Sequence, residues 1–282
     1  MDRNSFIYHI RRGLCFLINL FKDTPLKPSK EDSIDVIIPV IRKDLAILPL
    51  TIEGVRKNVN HPVTAIYIVA PAEEEIKQFC RMNDLVFVDE KSVLDYGPQN
   101  IHFVTKEGLN RSGWIFQQLL KLSGNIGTNR CFLVIDADHV LLKPHTFITD
   151  QHKYVFYHSD DCHLQYYKTI KALTGKTQYF ILSYISHKMI FDKVLLNQLK
   201  ESLEAYNGVP WDQAILSSFD DSDYSPFSEY ELYGLYVPSN QKVHRTWKQK
   251  GLKYEDIDTF RHLSENKAYT RYWSLTFPSY VN

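Results

Sequence analysis

The stretch CFLVIDADHVLLKP, Cys131 to Pro144, sets five apolar residues before two aspartates, Asp136 and Asp138, that flank one alanine. A short apolar run rich in branched side chains reads as a buried strand. The aspartates then fall where that strand ends. Two carboxylates one residue apart on a loop leaving a strand give Mg²⁺ or Mn²⁺ the hard oxygen ligands it prefers, and phosphate oxygens can complete the octahedron. A cation held there would neutralise charge on a departing diphosphate. The plainer alternative is that aspartates are common in turns that close strands.

The chain before this point decides which fold carries the strand. IDVIIPV (Ile34 to Val40), TAIYIVA (Thr64 to Ala70) and LVFVDE (Leu85 to Glu90) are strand-like. Between them, Leu45, Leu48, Ile52, Val55 and Val59 recur at helical spacing, with Pro49 starting or kinking the helix, and Glu73, Glu74 and Glu75 mark a second helix start. In NRSGWIFQQLLKLSG (Asn110 to Gly124), Ser112 is the expected cap and Gly124 the stop. Strand and helix alternate, so the expected class is α/β with a mostly parallel central sheet flanked by helices. Asp136 and Asp138 then sit at the carboxyl edge of that sheet, where open α/β sheets bind ligands. Further on, KYVFYHSD and YFILSYISHKMIF read as strands and VLLNQLKESLEAYNG as an amphipathic helix with a glycine stop. From about Lys242 the pattern is polar and aromatic and assigns no element.

The expected organisation is an N-terminal helix and linker over 1–30 and one domain over 31–282. That domain divides into a nucleotide-binding half (31–145), an acceptor half (146–250) and a C-terminal extension (251–282). A formal net charge of zero removes any global drive toward nucleic acid. Cys15, Cys80, Cys131 and Cys162 match no metal spacing and read as free thiols. Phe6, Ile10, Leu14, Leu17 and Phe21 share one helical face, and Arg11 and Arg12 interrupt a run too short to span a bilayer. A helix lying in a membrane interface and a helix packed on its own domain both fit this pattern.

VIDADHVLLKP resembles the Asp-x-Asp segment of GT-A-fold glycosyltransferases. RSGWIFQQLLKL before it and ISHKMIFDK, PWDQAIL and FSEYELYG after it form an arrangement similar to bacterial glycosyltransferase-like proteins of surface-polysaccharide loci. The resemblance runs from about Ile34 to Trp247. It implies a Rossmann-like GT-A fold, a nucleotide-sugar donor, Mn²⁺ or Mg²⁺, and a glycan or lipid-linked glycan acceptor. The expected setting is cytoplasmic, and the amphipathic pattern of residues 6–21 allows peripheral contact with the inner membrane face. Asp136 would meet the donor ribose or the metal, Asp138 would ligate the metal, and His244, with His262 as alternative, would be the third ligand. Pro39, Arg111, Trp114, Gln117, Gln118, Lys121 and His187 would line the donor site. The acceptor proton would pass to Glu229, with Asp212 and Glu231 as rivals. The plainer expectation for Gln118 and Lys121 is a solvated face, with Trp114 in the core. A haloacid-dehalogenase-like phosphatase with Asp136 as nucleophile is a second class, although Asp-x-Asp normally closes the first strand there. A non-catalytic nucleotide-binding protein of the same fold is a third.

Overall fold

The computed structural model describes residues 6–20, 25–161, 163–178, 182–220, 223–246, 249–258, 260, 269 and 271–278. The first half contains α1 (Phe6–Leu20), β1 (Ile34–Pro39), α2 (Leu48–Asn58), β2 (Val63–Ala70), α3 (Glu74–Met82), β3 (Val86–Asp89), α4 (Ser112–Leu122), β4 (Cys131–Ile135) and β5 (His139–Leu141). The second half contains β6 (Tyr154–His158), α5 (Leu164–Thr174), β7 (Lys188–Asp192), α6 (Lys193–Asn207), α7 (Trp211–Ser217), α8 (Glu229–Tyr236), β8 (Lys242–Thr246), β9 (Gln249–Gly251) and β10 (Ser274–Thr276).

The central sheet has the order β3-β2-β1-β4-β7. Its first four strands are parallel, whereas β7 runs antiparallel to β4, with Ile135 opposite Lys188 and Cys131 opposite Asp192. The class read from the sequence is therefore the one observed. β1 and β4 are buried along their whole length, as their predominantly apolar sequences require. The one charge inside β1, Asp35, is answered locally. Its Oδ2 accepts from the backbone N–H groups of Thr128 and Asn129, each at 2.8 Å, and its Oδ1 accepts from the Asn129 amide at 2.9 Å. That turn leads the chain into β4, so a buried carboxylate fixes where the strand begins.

A second sheet, β5-β10-β9, extends from the loop that follows the aspartates. β10 pairs antiparallel with β5, matching Leu275 to Val140 and Thr276 to His139. Ile47, Val140, Leu252, Ile257, Phe260, Leu275 and Phe277 form a small core of their own. Part of the C-terminal extension is thus folded onto the motif loop.

Two local expectations are corrected. Ser112 is the first helical residue of α4 rather than its cap, because its hydroxyl accepts instead from the Phe103 N–H at 3.2 Å. Among the described residues of the expected strand YFILSYISHKMIF only 188–191 are strand, within β7, and residues 179–181 lie outside the described residues. FSEYELYG holds the helix α8, capped by Ser228, whose hydroxyl accepts from the Glu231 N–H at 3.3 Å. The cysteines Cys15, Cys80 and Cys131 are free thiols, and Cys162 lies outside the described residues. Among the described residues, no helix is long and apolar enough to cross a membrane.

Candidate active site

Asp136 leaves the carboxyl end of β4 and is held by three side chains. Lys121 Nζ donates to its Oδ1 at 2.7 Å, the Tyr230 hydroxyl donates to the same oxygen at 3.0 Å, and His187 Nδ1 lies 3.0 Å from Oδ2. The Asp136 N–H donates to the His187 carbonyl at 2.9 Å, so backbone and side chain both tie the two residues together. Burial by itself would raise the Asp136 carboxyl. The cation of Lys121 and the hydrogen bond from His187 outweigh it and hold the group well below the usual carboxylate range.

Asp138 is the opposite case. Among the described residues no side chain donates to its carboxylate, and burial, Asp136 and Asp44 push it up to about 7, against His187. Its backbone is firmly placed nonetheless, since the Phe277 N–H of the C-terminal segment donates to its carbonyl at 2.9 Å. On the other side, α2 sets Thr51, Gly54 and Asn58 along one face. Thr51 Oγ1 donates to the Ala137 carbonyl at 2.7 Å and Asn58 donates to the Leu141 carbonyl at 2.8 Å. A Cβ on Gly54 would lie 2.9 Å from both the N and the O of Leu141, so only glycine lets α2 approach this closely. Two elements far apart in sequence therefore grip the loop between them.

His187 completes the group. One ligand atom from each of Asp136, Asp138 and His187 lies within 4.8 Å of the others. His187 has φ +59°, a left-handed conformation that costs a non-glycine residue energy. Behind it the His139 ring stacks at 5.6 Å. Lys188 Nζ lies 3.2 Å from His139 Nε2, and His139 Nδ1 lies 2.9 Å from Thr276 Oγ1. This buried layer fixes the His139 ring beneath the ligand histidine. Two carboxylates and an imidazole are a donor set suited to Mn²⁺ or Mg²⁺. The carboxylate without a side-chain partner is where a cation would relieve the most unfavourable charge.

Several residues expected in the site take other places. His244 sits on β8 and shares a hydrogen bond of 2.8 Å with His158 Nε2, and the histidine grouped with the two aspartates is His187. His262 lies outside the described residues. Lys121, expected near a diphosphate or in solvent, has a side chain only 6% exposed and bridges Asp136 and Glu229, the second contact being 2.9 Å. Burial works against its ammonium, but the two carboxylates more than offset that and raise it above the usual lysine range.

Glu229 is 1% exposed. With the Gln118 amide turned to face it, Gln118 donates to Glu229 Oε1 at 3.0 Å. Burial raises Glu229, with Lys121 opposing. Glu229 is thus enclosed beside Lys121, one contact removed from Asp136. Glu231 is equally enclosed: Ser183 Oγ donates to it at 2.6 Å and the Tyr184 N–H at 3.2 Å. Gln118 is buried instead of solvated, whereas Gln117 and Trp114 are half-buried on α4. The Arg111 guanidinium lies 4.5 Å above the Trp114 ring, and its Nε donates to the Tyr224 carbonyl at 3.1 Å. Asp212 on α7 accepts from the Tyr96 hydroxyl at 2.7 Å. Pro39 is buried at the carboxyl end of β1, beside the strand that delivers Asp136.

Reading the sequence missed the residues that shape the loop: Thr51, Gly54, Asn58, Tyr230 and Phe277. Tyr230 alone had a signal, because it adjoins Glu229 in the quoted motif.

The fold and site together define an α/β protein with an Asp-x-Asp and histidine cluster at the carboxyl edge of a mostly parallel sheet. Residues 31–270 match the family described as "Family of unknown function (DUF6492)", and the chain belongs to it. No curated protein matches the sequence. Among solved structures, mouse xyloside xylosyltransferase 1 in its apo form is similar with a TM-score of 0.46 at 7% identity, over 88% of this chain and 98% of that one. The galactosyltransferase LgtC in complex with donor and acceptor sugar analogues is similar with a TM-score of 0.45 at 9% identity, over 86% of this chain and 87% of that one. Likeness at this level is too loose to assign chemistry.

Proposed function

We propose that this chain is a metal-dependent glycosyltransferase of GT-A type. It would move a sugar from a nucleoside-diphosphate sugar to a hydroxyl of a glycan or lipid-linked glycan. The observation that carries the reading is the cluster of Asp136, Asp138 and His187 at the carboxyl edge of the sheet, with ligand atoms within 4.8 Å of one another. The quoted motifs, in their order along the chain, support the same reading.

In this reading Asp138, Asp136 and His187 hold Mn²⁺ or Mg²⁺. When bound, the ion supplies charge neutralisation for a departing diphosphate. Lys121 and Tyr230 fix the Asp136 carboxylate, and through it the orientation of the His187 ring. Arg111, stacked on Trp114, is the cation proposed to meet diphosphate oxygens, with Gln117 on the same helix and Pro39 bordering the nucleotide. Glu229 and Glu231 being enclosed, Asp212 is the remaining carboxylate of the three proposed to accept the proton of the acceptor hydroxyl. The phosphatase alternative is disfavoured by position, because Asp136 leaves the fourth strand of the parallel set in chain order, whereas that class places its nucleophile after the first strand.

Calorimetry with a panel of nucleoside diphosphates, with and without Mn²⁺, tests the proposal on wild type and Asp138→Ala. Binding of one nucleotide that requires metal and is lost in the variant is expected. Absence of nucleotide binding under all conditions refutes the transferase reading. Binding without transfer to any saccharide acceptor returns the chain to the non-catalytic alternative.

A further inference from the structure

α1 is mounted with its polar side inward. At 3.6 residues per turn, Tyr8, Arg11 and Cys15 fall on one face, while Phe6, Ile10, Gly13 and Leu17 fall within about 60° of arc on the opposite face. The first face meets the domain. Tyr8 and Arg11 are buried; Arg11 Nη1 donates to the Asp161 carbonyl at 2.6 Å and Nη2 to the Tyr167 hydroxyl at 2.7 Å. The second face meets solvent, with Phe6 78% exposed and Leu17 52% exposed, and Phe16 exposed beside it. An amphipathic helix packed on its own domain buries its apolar stripe; here a buried arginine does the docking and the stripe is left outside.

What covers such a stripe is constrained by charge. Phe6–Leu20 contains no acidic residue, and Arg12 is exposed at the flank of the stripe. Two copies paired along this stripe about a twofold axis would bring cation toward cation with no carboxylate of α1 to answer them. An anionic lipid surface supplies the missing charge. At about 1.5 Å per residue, a helix of 15 residues is roughly 22 Å long, short of a bilayer core of about 30 Å, so it lies along the membrane and does not cross it.

We infer that α1 is an interfacial anchor for anionic membranes. Phe6, Ile10 and Leu17 enter the boundary between headgroups and acyl chains, Arg12 meets lipid phosphates, and Arg11 holds the domain to the anchored helix. The inference goes beyond the transferase reading and stands whether or not that reading holds.

The test is sedimentation of the full chain with vesicles of phosphatidylcholine alone and of phosphatidylcholine with one quarter phosphatidylglycerol. Wild type is expected to pellet with the anionic vesicles. Phe6→Ser combined with Leu17→Ser should weaken partitioning at least about tenfold. Arg12→Glu should weaken it several-fold on anionic vesicles and leave the weaker neutral binding unchanged. All variants should keep the wild-type unfolding midpoint and the wild-type response to nucleotide, which separates loss of the anchor from loss of the fold or the site. Failure of wild type to pellet with anionic vesicles overturns the inference, as does undiminished pelleting of the double variant. A concentration-dependent dimer in lipid-free solution, abolished by the double variant, also overturns it and assigns the stripe to a second copy of the chain.

Discussion

Asp136 and Asp138 are two residues apart, yet the molecule treats them as opposites. The inner wall of the site surrounds Asp136 with Lys121, Tyr230 and His187 and holds it ionised. The outer wall places Asp138 by its backbone alone and leaves its carboxylate in conditions that favour the proton. An identical side chain in a short motif can be part of the framework at one position and an open ligand at the next. The difference lies in what packs behind each, not in the motif.

The largest effect that would break this comparison comes from the inner wall. Asp136→Ala leaves the Lys121 ammonium and the Tyr230 hydroxyl buried with one partner fewer. Removing one member of a buried ion pair costs about 3–5 kcal/mol, so a clear fall in unfolding midpoint is expected by calorimetry. Asp138→Ala should leave that midpoint nearly unchanged or raised. Equal destabilisation by the two substitutions would erase the distinction between the walls.

A smaller effect sharpens the comparison through pH. The folded Asp138 is pushed up to about 7, above an unfolded value of about 3.9. The unfolded chain therefore loses this proton first, and in the absence of metal Asp138 lowers stability as pH rises from about 4 to about 7. A shift of about three pKa units corresponds to at most about 4 kcal/mol across that window. Glu231 is also pushed up to about 7, by burial, with Ser183 and Arg11 opposing, so the useful quantity is a difference. Subtracting the denaturation profile of Asp138→Asn from that of wild type should isolate the slope, and parallel profiles would count against the outer wall as described. Mn²⁺ affinity should move the other way, strengthening as Asp138 loses its proton.

The smallest effect distinguishes two histidines. His187→Ala should weaken Mn²⁺ binding by about tenfold or more, measured by titration. His244→Ala should leave it within about twofold, its partner being His158 and not the aspartates. The reverse ranking would restore His244 as the third ligand.

The parallel part of the sheet was legible because each of its strands and helices announces itself within about ten residues, as apolar runs and 3.6-residue periods do. Placing Asp136 and Asp138 at the carboxyl edge needed nothing more. The rest of the site depends on contacts that local pattern cannot carry. β10 reaches β5 across most of the second half of the chain, with three residues on each side and no periodicity to read. His187 becomes the neighbour of Asp136 because β7 enters the sheet antiparallel, opposite β4, a topology that leaves no mark in either segment. Lys121 and Glu229 were found as residues, but their contact with each other was not. A charged pair facing inward has the same letters as one facing outward, and the helix α8 turns Glu229 and Glu231 toward different partners.

The backbone of His187 has a consequence for how this site would change under selection. A left-handed residue is held most comfortably by glycine or asparagine, and a histidine there carries a cost of order 1–3 kcal/mol. A library randomised at position 187 and screened for heat resistance alone should drift away from histidine. The same library screened for metal binding should return to it. The residue that the fold would choose and the residue that the cation would choose are different, so the identity of position 187 records which of the two demands the protein has had to meet.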